Sequence, residues 1–563
     1  MRPRDRILTT GTRFERVPPN PAQPRLRVAL INPPDPTSSD DGRSFPALGL
    51  GYVAAFARVR GFHVDLFDFA LDLDPDLDFL DRVGALDGYD VYGVSTYSDT
   101  LPSALTVAAA LRRGAPRSPI VFGGYHAAVL DAELLEDFDM IDYVVRDEGE
   151  IPFSELLDGL ASDRSDHGSV ASLTWRGADG AVVRNPSSER LLDQAELPFP
   201  VTETRHGPRR YADYADRDSG ERRRAVSLVS SRGCPKRCTF CSIALVNPLW
   251  RARSAESIMA EVRYRYAHEP FAHVFFQDGN FFASPKRSLA FARELHAFDP
   301  SITWSGTATP DNVVRHAGVL AELAALNCAS LELGIESGNE GSLERFGKGT
   351  DRAVNLQAIR LLESAGIRLG LDFIMFEPEM TLDDVRANLD FLHEADLYGY
   401  WPAECLFQEL RLYPGTKMRT RHVPGDCTRH EVPPTPLRDA GLRTAFEEAW
   451  AYRRTLQAAT DEALKQLEVA IAGLDAVDRD GEEPEIRRLR QDAQACVIEL
   501  RHAPYAFLEA VASPSQAARP DELEAARTAT RWALAGAVAT VRSVRAAIGT
   551  WTAPARTRAE RVA

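Results

Sequence analysis

Short apolar runs and longer one-faced patterns alternate along the chain in three different ways, and each change of pattern marks a boundary. The first pattern begins at Leu26. Arg27-Val-Ala-Leu-Ile31 reads as a short buried strand, and His63 to Phe67, Val91 to Thr96 and Pro119 to Phe122 repeat it with helical patterns between them. Apolar strands separated by helices predict an open parallel α/β sheet with a ligand site at the strands' C-terminal edge. The strand ends to watch are Asn32, Ser95-Thr96-Tyr97 and Gly123-Gly124-Tyr125-His126, because paired glycines after a strand let a bulky ligand lie against the backbone.

The second pattern is a connector. Leu173-Thr174-Trp175 and Ala181-Val182-Val183 flank Arg176-Gly-Ala-Asp-Gly180, which predicts a hairpin. Arg209 to Arg224 is mostly charged and reads as a solvated loop. From Ala225 a strand-then-helix unit recurs six times, with strands near 225–230, 271–278, 301–308, 329–336, 367–376 and 400–413, predicting a partial barrel. Ser254 is placed to cap the first helix, Thr381 with Asp384 forms a capping-box pattern, and Gly366 closes the helix before the fifth strand.

Past Gly415 no strand pattern remains. Val432-Pro-Pro-Thr-Pro436 reads as a linker into one-faced helices carrying Leu464, Leu467, Ile471 and Leu474, then Ile486, Leu489, Ala493, Cys496 and Leu500, then Leu534, Val538, Val541 and Ile548. The expected division is an arm at 1–25, an α/β domain at 26–165, a hairpin and connector at 166–221, a barrel at 222–420, a linker at 421–439, a helical bundle at 440–552 and a tail at 553–563.

Composition narrows the function. A chain of 563 residues is long enough for about three domains, and 44% hydrophobic with 26% charged residues is the balance of a soluble globular protein. A formal net charge of −16 with no balancing basic block argues against nucleic acid and for a small-molecule or peptide substrate. The longest nearly apolar run, Phe45 to Ala57, is thirteen residues with a proline and two glycines inside it, too short to span a bilayer. With no hydrophobic signal core at the N-terminus, the expected location is the cytoplasm. Seven cysteines in the whole chain make a disulfide framework a poor reading.

Three of those cysteines stand together in Ser230-Ser-Arg-Gly-Cys-Pro-Lys-Arg-Cys-Thr-Phe-Cys241. The spacing C-x-x-x-C-x-x-C lets one loop turn three thiolates toward one point, where a metal or cluster is the natural occupant. A structural zinc site would need a fourth ligand at matching spacing, and no such Cys or His pair follows. Three thiolates suit a 4Fe-4S cluster with one iron left open.

The segment resembles the radical S-adenosylmethionine (SAM) enzymes, in which the open iron holds SAM; Phe240, before the third cysteine, fits that motif. The resemblance implies Cys234, Cys238 and Cys241 as cluster ligands and Phe240, Asp278, Glu336 and Ser337 as residues near SAM. Gly334-Ile-Glu-Ser-Gly338 is similar to the family's fourth-strand motif, and Asp278 matches the position that contacts the methionyl amino group. Strand alternation puts Glu332, Gly334 and Glu336 on one face and Leu331, Leu333 and Ile335 on the other, so the lumen is expected to be polar. Asp372 is buried by pattern. Phe376-Glu-Pro-Glu-Met-Thr381 departs from the family's G-x-P-G-E-T, which leaves no clear fifth-strand SAM contact. Cys328, Cys405 and Cys496 read as core thiols, the first two with a hydrogen- or proton-donor role as the alternative.

An α/β domain ahead of this motif resembles the cobalamin-binding domain of cobalamin-dependent radical SAM enzymes, over about residues 26 to 160 and including Asp147-Glu-Gly-Glu150. It implies a Rossmann-like fold and cobalamin contacts from Asn32, Pro33, Leu48, Gly49, Ser95, Thr96, Tyr97, Gly123, Gly124, Tyr125 and Glu148. Asn32-Pro-Pro34 stands where many relatives have the histidine that binds cobalt from below, and His63 and His126 read as packing or tail-contacting residues. The implied function is methylation of a carbon with a 4Fe-4S cluster, SAM and cobalamin, served by an electron donor such as flavodoxin or ferredoxin. The alternatives are a radical rearrangement or cyclisation without methyl transfer and a non-catalytic cobalamin sensor. Methylthiolation is disfavoured because no cysteine precedes Cys234 to hold a second cluster.

Overall fold

The computed structural model describes residues 7–8, 26–35, 45–69, 79–84, 86–188, 191–203, 213–215, 222–400, 403–423, 429–477, 483–513 and 520–551. Most of the expected arm, the tail after 552, most of the charged run 209–224 and part of the linker lie outside the described residues. Among those described, no helix is long and apolar enough to cross a membrane.

The first domain is a seven-stranded sheet. Its strands are β1 (Arg27–Asn32), β2 (His63–Asp68), β3 (Val91–Ser95), β4 (Ile120–Gly123), β5 (Tyr143–Val145), β6 (Leu173–Arg176) and β7 (Val182–Arg184), in the order β2-β1-β3-β4-β5-β6-β7. The first five are parallel and the hairpin β6-β7 extends them antiparallel. The chain reverses its direction of travel at β1, so the crevice between the ends of β1 and β3 is where a ligand fits. Separate apolar clusters cover the two faces, one around Phe67, Tyr92 and Phe122 and the other around Val28, Leu30 and Phe153.

The barrel sheet begins at an antiparallel edge strand, Asp213–Ala215, paired with β8 (Arg222–Leu228), so the described parts of the charged run 209–224 are strand where the sequence predicts a solvated loop. From β8 the sheet continues through β11 (His273–Phe276), β12 (Thr303–Ala308) and β13 (Cys328–Glu336) to β14 (Arg368–Phe373), these five parallel. A small antiparallel pair, β9 (Ser231–Arg232) and β10 (Arg251–Ala252), stands at its mouth. Ser254 accepts from the Ser257 amide, Thr381 and Asp384 close a capping box, and Gly366 ends its helix at φ 73°, as the sequence predicts. The sixth strand is a correction. Residues 403–407 form a 3-10 turn, and only Phe376 and Glu409 make a parallel bridge. The Gln408 carbonyl accepts from both Met375 and Phe376, so the chain crosses the sheet edge at one point instead of running along it.

The C-terminal helices are continuous with the barrel core. Tyr452 and Phe507 are fully buried, their rings stacked 4.2 Å apart, in the same apolar cluster as the barrel's Phe373 and Leu392. Farther out, α1 (Ala458–Val477), α2 (Pro484–Val511) and α3 (Pro520–Trp551) form a bundle with its own core of Leu464, Leu467, Leu500 and Val541. Val538, expected on the inner face, is 53% exposed because the buried stripe of α3 runs through Thr530, Ala537, Val541 and Val544.

Phe507→Ala should cost about 3–5 kcal/mol, and because its ring belongs to the barrel core it should lower one shared unfolding transition. Differential scanning calorimetry that shows the bundle melting alone, with the barrel unmoved, would contradict this.

Candidate active site

The cysteine loop leaves from β9 and returns through β10. Gly233 sits at φ 77°, where a Cβ would lie 2.4 Å from the Leu249 carbonyl oxygen, so the turn into the loop requires glycine. Cys234, Cys238 and Cys241 are half-buried. The far side of the loop is tied to the barrel: the Thr239 amide donates to Phe346 O at 2.8 Å and its hydroxyl to Arg345 O at 2.8 Å. Phe240 packs edge-on to Phe346, with ring centroids 5.3 Å apart.

Burial pushes the Cys238 thiol up to about 11, Lys348 opposes that, and Glu336 and the other two thiols reinforce it. Cys241 is raised by burial and also feels Cys234, Glu336 and Lys348. The three sulfurs thus share one neighbourhood. Among the described residues no three His, Cys, Asp or Glu side chains converge on a single ion position. A cubane cluster asks for something different, since each thiolate binds its own iron corner. The donor set therefore fits a cluster rather than one ion.

Asp278 lies at the loop's entry. Its carboxylate accepts from the Ser230 amide at 2.7 Å, the Ser230 hydroxyl at 2.6 Å and the Ser231 hydroxyl at 2.5 Å, with Arg287 3.9 Å away. Most of the carboxylate's acceptor capacity is thus committed to the loop. Ser337 is fully buried and donates to Asn388 at 2.8 Å, so it braces the strand end instead of facing a ligand.

The lumen is more acidic than its neighbourhood. β13 bulges between Gly334 and Glu336, and Glu336 takes a left-handed φ of 65°, strained for a residue with a Cβ. Its carboxylate accepts from Lys348 at 2.6 Å. Burial opposes the Lys348 charge, but Glu336 and Cys238 more than offset it and raise its pKa. Lys348 was missed in the sequence, although Gly347 and Gly349, at φ 62° and 67°, flag the sharp turn that presents it. Burial and the carboxylates of Glu332 and Glu336 hold Asp372 well above the usual carboxylate range. Burial also raises Glu332, although its hydrogen bond with Asp372 works against that. Asp372 is nonetheless exposed by area.

The other wall comes from the first domain. Gly124 sits at φ 102° with a Cβ position 2.5 Å from Thr96 O, which leaves a cradle that any side chain would fill. Tyr97 stacks on Tyr125 with centroids 5.8 Å apart. Burial pushes the Tyr97 phenol up to about 12, yet 49% of the residue is open. Tyr125 accepts from Asn247 of the cysteine loop at 3.1 Å, and its phenol feels Cys241.

Other expected cobalamin contacts are used internally. Thr96 is fully buried and donates to Gly123 O at 2.9 Å; the Asn32 amide donates to Asp68 at 2.8 Å. Ser95 and Gly123 are partly open at the strand ends and Gly49 is exposed, whereas Pro33 and Leu48 are buried. Glu148 pairs with Arg232 and Arg251, which ties its carboxylate across the two domains. His63 starts β2, at the sheet edge opposite the crevice. His126 is buried, its Nδ1 3.0 Å from Ser98 Oγ and its ring 5.9 Å from that of His430. Neither histidine stands free in the crevice. The residues present fit a corrin on the β1/β3 crevice without a histidine below it. Cys328 and Cys405 are buried in the barrel core.

A cluster loop at the mouth of a parallel barrel, in contact through Asn247 with Tyr125 beside a glycine-cradled crevice, suits an enzyme built around two cofactors. Comparison with known proteins agrees. Residues 41–157 match the B12 binding domain and residues 228–392 the radical SAM superfamily. The chain is 25% identical over 399 residues to an uncharacterized methyltransferase of Pyrococcus horikoshii, covering 70% of this chain and 82% of that one. It is 25% identical over 346 residues to an anaerobic magnesium-protoporphyrin IX monomethyl ester cyclase of Synechocystis sp., covering 61% and 67%. It is 28% identical over 438 residues to the cytidylyl-2-hydroxyethylphosphonate methyltransferase of Streptomyces wedmorensis, covering 66% and 77%. The fold matches that of OxsB, a cobalamin-dependent S-adenosylmethionine radical enzyme solved with aqua-cobalamin, at a TM-score of 0.68 and 16% identity over 92% of this chain and 81% of that one. The chain belongs to the cobalamin-dependent radical SAM enzymes, whose cofactors are a 4Fe-4S cluster, SAM and cobalamin.

Burial, with His430 and Arg419 nearby, lowers His126 from 6.5 to about 4. The unfolded chain therefore binds a proton that the fold refuses. The stability this gives is full above pH 6.5 and declines as the pH falls toward 4, by about 3 kcal/mol in all. Urea unfolding across that range should show His126→Gln lacking this part of the decline; equal declines in the two proteins would contradict it.

Proposed function

We propose that this enzyme methylates a carbon of a small-molecule or peptide substrate held in the cavity between the cysteine loop and the β1/β3 crevice. What carries the reading is Tyr125, which belongs to the cobalamin-binding domain yet accepts a hydrogen bond from Asn247 of the cysteine loop and feels the Cys241 thiol. Groups from the two cofactor domains thus meet over one space. Two of the relatives described above carry methyltransferase names, which supports methyl transfer over other outcomes.

In this reading Cys234, Cys238 and Cys241 hold the cluster, and Phe240 and Glu336 border the SAM site. With Gly123 and Gly124 as the cradle, Asn32, Pro33, Gly49, Ser95 and Tyr97 border the corrin. When bound, the reduced cluster supplies one-electron cleavage of SAM to a 5′-deoxyadenosyl radical, and cobalamin supplies a methyl carrier reloaded from a second SAM. The chain's own part is positional. Lys348 neutralises Glu336 beside the thiols, and the Tyr97–Tyr125 stack gives the site aromatic surface that keeps water from a radical. An electron donor such as flavodoxin or ferredoxin supplies the reductant.

The cyclase relative favours a second reading, a radical cyclisation without methyl transfer. Anaerobic turnover of the reconstituted protein with SAM, reductant and fractionated lysate separates the two. Methyl transfer predicts methylated product, 5′-deoxyadenosine and S-adenosylhomocysteine in about equal amounts after subtraction of uncoupled cleavage. 5′-Deoxyadenosine without S-adenosylhomocysteine would overturn it in favour of cyclisation, and S-adenosylhomocysteine alone would indicate polar methyl transfer.

A further inference from the structure

One set of ion pairs joining the two α/β domains gathers on a short turn, apart from the pairs of Asp99 with Arg411 and of Asp137 with Arg429. Glu148 and Glu150 flank Gly149 at the start of the helix Glu150–Ala161. Glu150 takes Arg232 at 2.5 Å through one guanidinium nitrogen and at 3.3 Å through another, and Glu148 takes Arg232 at 3.2 Å and also Arg251. Arg232 lies over the ring of Tyr52 at 5.3 Å, and Arg251 donates to Leu192 O at 2.7 Å. The side chains of all four charged partners are between 3% and 13% exposed.

The two arginines face each other in the β9/β10 ladder, Arg232 opposite Arg251. They are the two ends of the loop that carries Cys234, Cys238 and Cys241. The base of that loop is therefore clamped by two carboxylates of the other domain, fixed in turn by the first turn of a helix that packs on the β1-β3 side of its sheet. A guanidinium fork against two carboxylates sets an orientation as well as a distance.

We propose that Glu148 and Glu150 are positioning residues: they touch neither cofactor and, through Arg232 and Arg251, fix where the cluster loop stands relative to the cobalamin-binding domain. The consequence is that the separation of the two cofactors is set by the domain that does not hold the cluster. Misplacement of reacting groups by about 1 Å is enough to cost roughly a hundredfold in rate. The proposal holds whether the product is methylated or cyclised.

The test uses the protein loaded with cluster and cobalamin and reduced so that both are paramagnetic. Pulsed dipolar spectroscopy between the two spins should give one narrow distance for the wild type. The double variant Glu148→Gln with Glu150→Gln should keep its iron and cobalamin but lose the single narrow distance. Asp137→Asn, which breaks an interdomain ion pair with Arg429 that does not involve the loop, should leave the distance unchanged. In the metal-free protein, backbone hydrogen exchange should accelerate in the double variant across 231–252 and stay at wild-type rates in β1 to β4. An unchanged narrow distance in the double variant overturns the proposal, and so does uniform acceleration throughout the first domain, which would make the carboxylates merely structural.

Discussion

A buried arginine held by two carboxylates from another domain is the contact on which the geometry of this enzyme turns. Desolvating Arg232 is expensive, and Glu150 and Glu148 offset that cost only while both stay in place. Removing one partner of such a pair costs about 3–5 kcal/mol, because the remaining charge is left buried. The exchange is between stability and placement: apolar side chains could join two domains as firmly, but they would not fix the direction in which the cysteine loop leaves β9.

Beyond that clamp, residues from both domains combine exposed surface with groups whose charge burial disfavours. Tyr97 presents half its surface to empty space while its phenol is shifted upward by surrounding protein. Asp372 behaves in the same way on the barrel side. Such walls suit ligands that bring their own charge and contacts. Of the three carboxyl groups in the lumen, Glu336 is paired with Lys348, while burial raises the pKa of both Glu332 and Asp372 and so disfavours bare buried charge there.

Much of this was legible in the sequence, for identifiable reasons. Buried parallel strands are short apolar runs, so β1 to β4 and β11 to β14 fall within a few residues of their expected positions, and the caps at Ser254, Gly366 and Thr381 follow from backbone chemistry. The cysteine spacing is local and carried its meaning unaided. What could not be read were choices made between distant segments. Asp278 carries the right charge for a ligand contact, yet the hydroxyls of Ser230 and Ser231 claim it. Glu148 sits in a motif that resembles a cofactor site, yet its partners lie more than eighty residues away, at Arg232 and Arg251. The sixth strand failed because a pattern of apolar residues does not say whether a chain runs along a sheet or crosses it. Val538 failed because one helical face can be read two ways when the neighbouring helices are unknown.

The central claim is that a cluster on Cys234, Cys238 and Cys241 and a cobalamin on the β1/β3 crevice face each other across one cavity. Anomalous diffraction from a crystal of the reconstituted protein, collected at the iron and cobalt absorption edges, tests it directly. The account predicts iron density at the three cysteines and a single cobalt site beside Tyr97 and the Gly123-Gly124 cradle, with no protein histidine beneath the metal. Cobalt outside that crevice, or iron away from the three thiols, would contradict it.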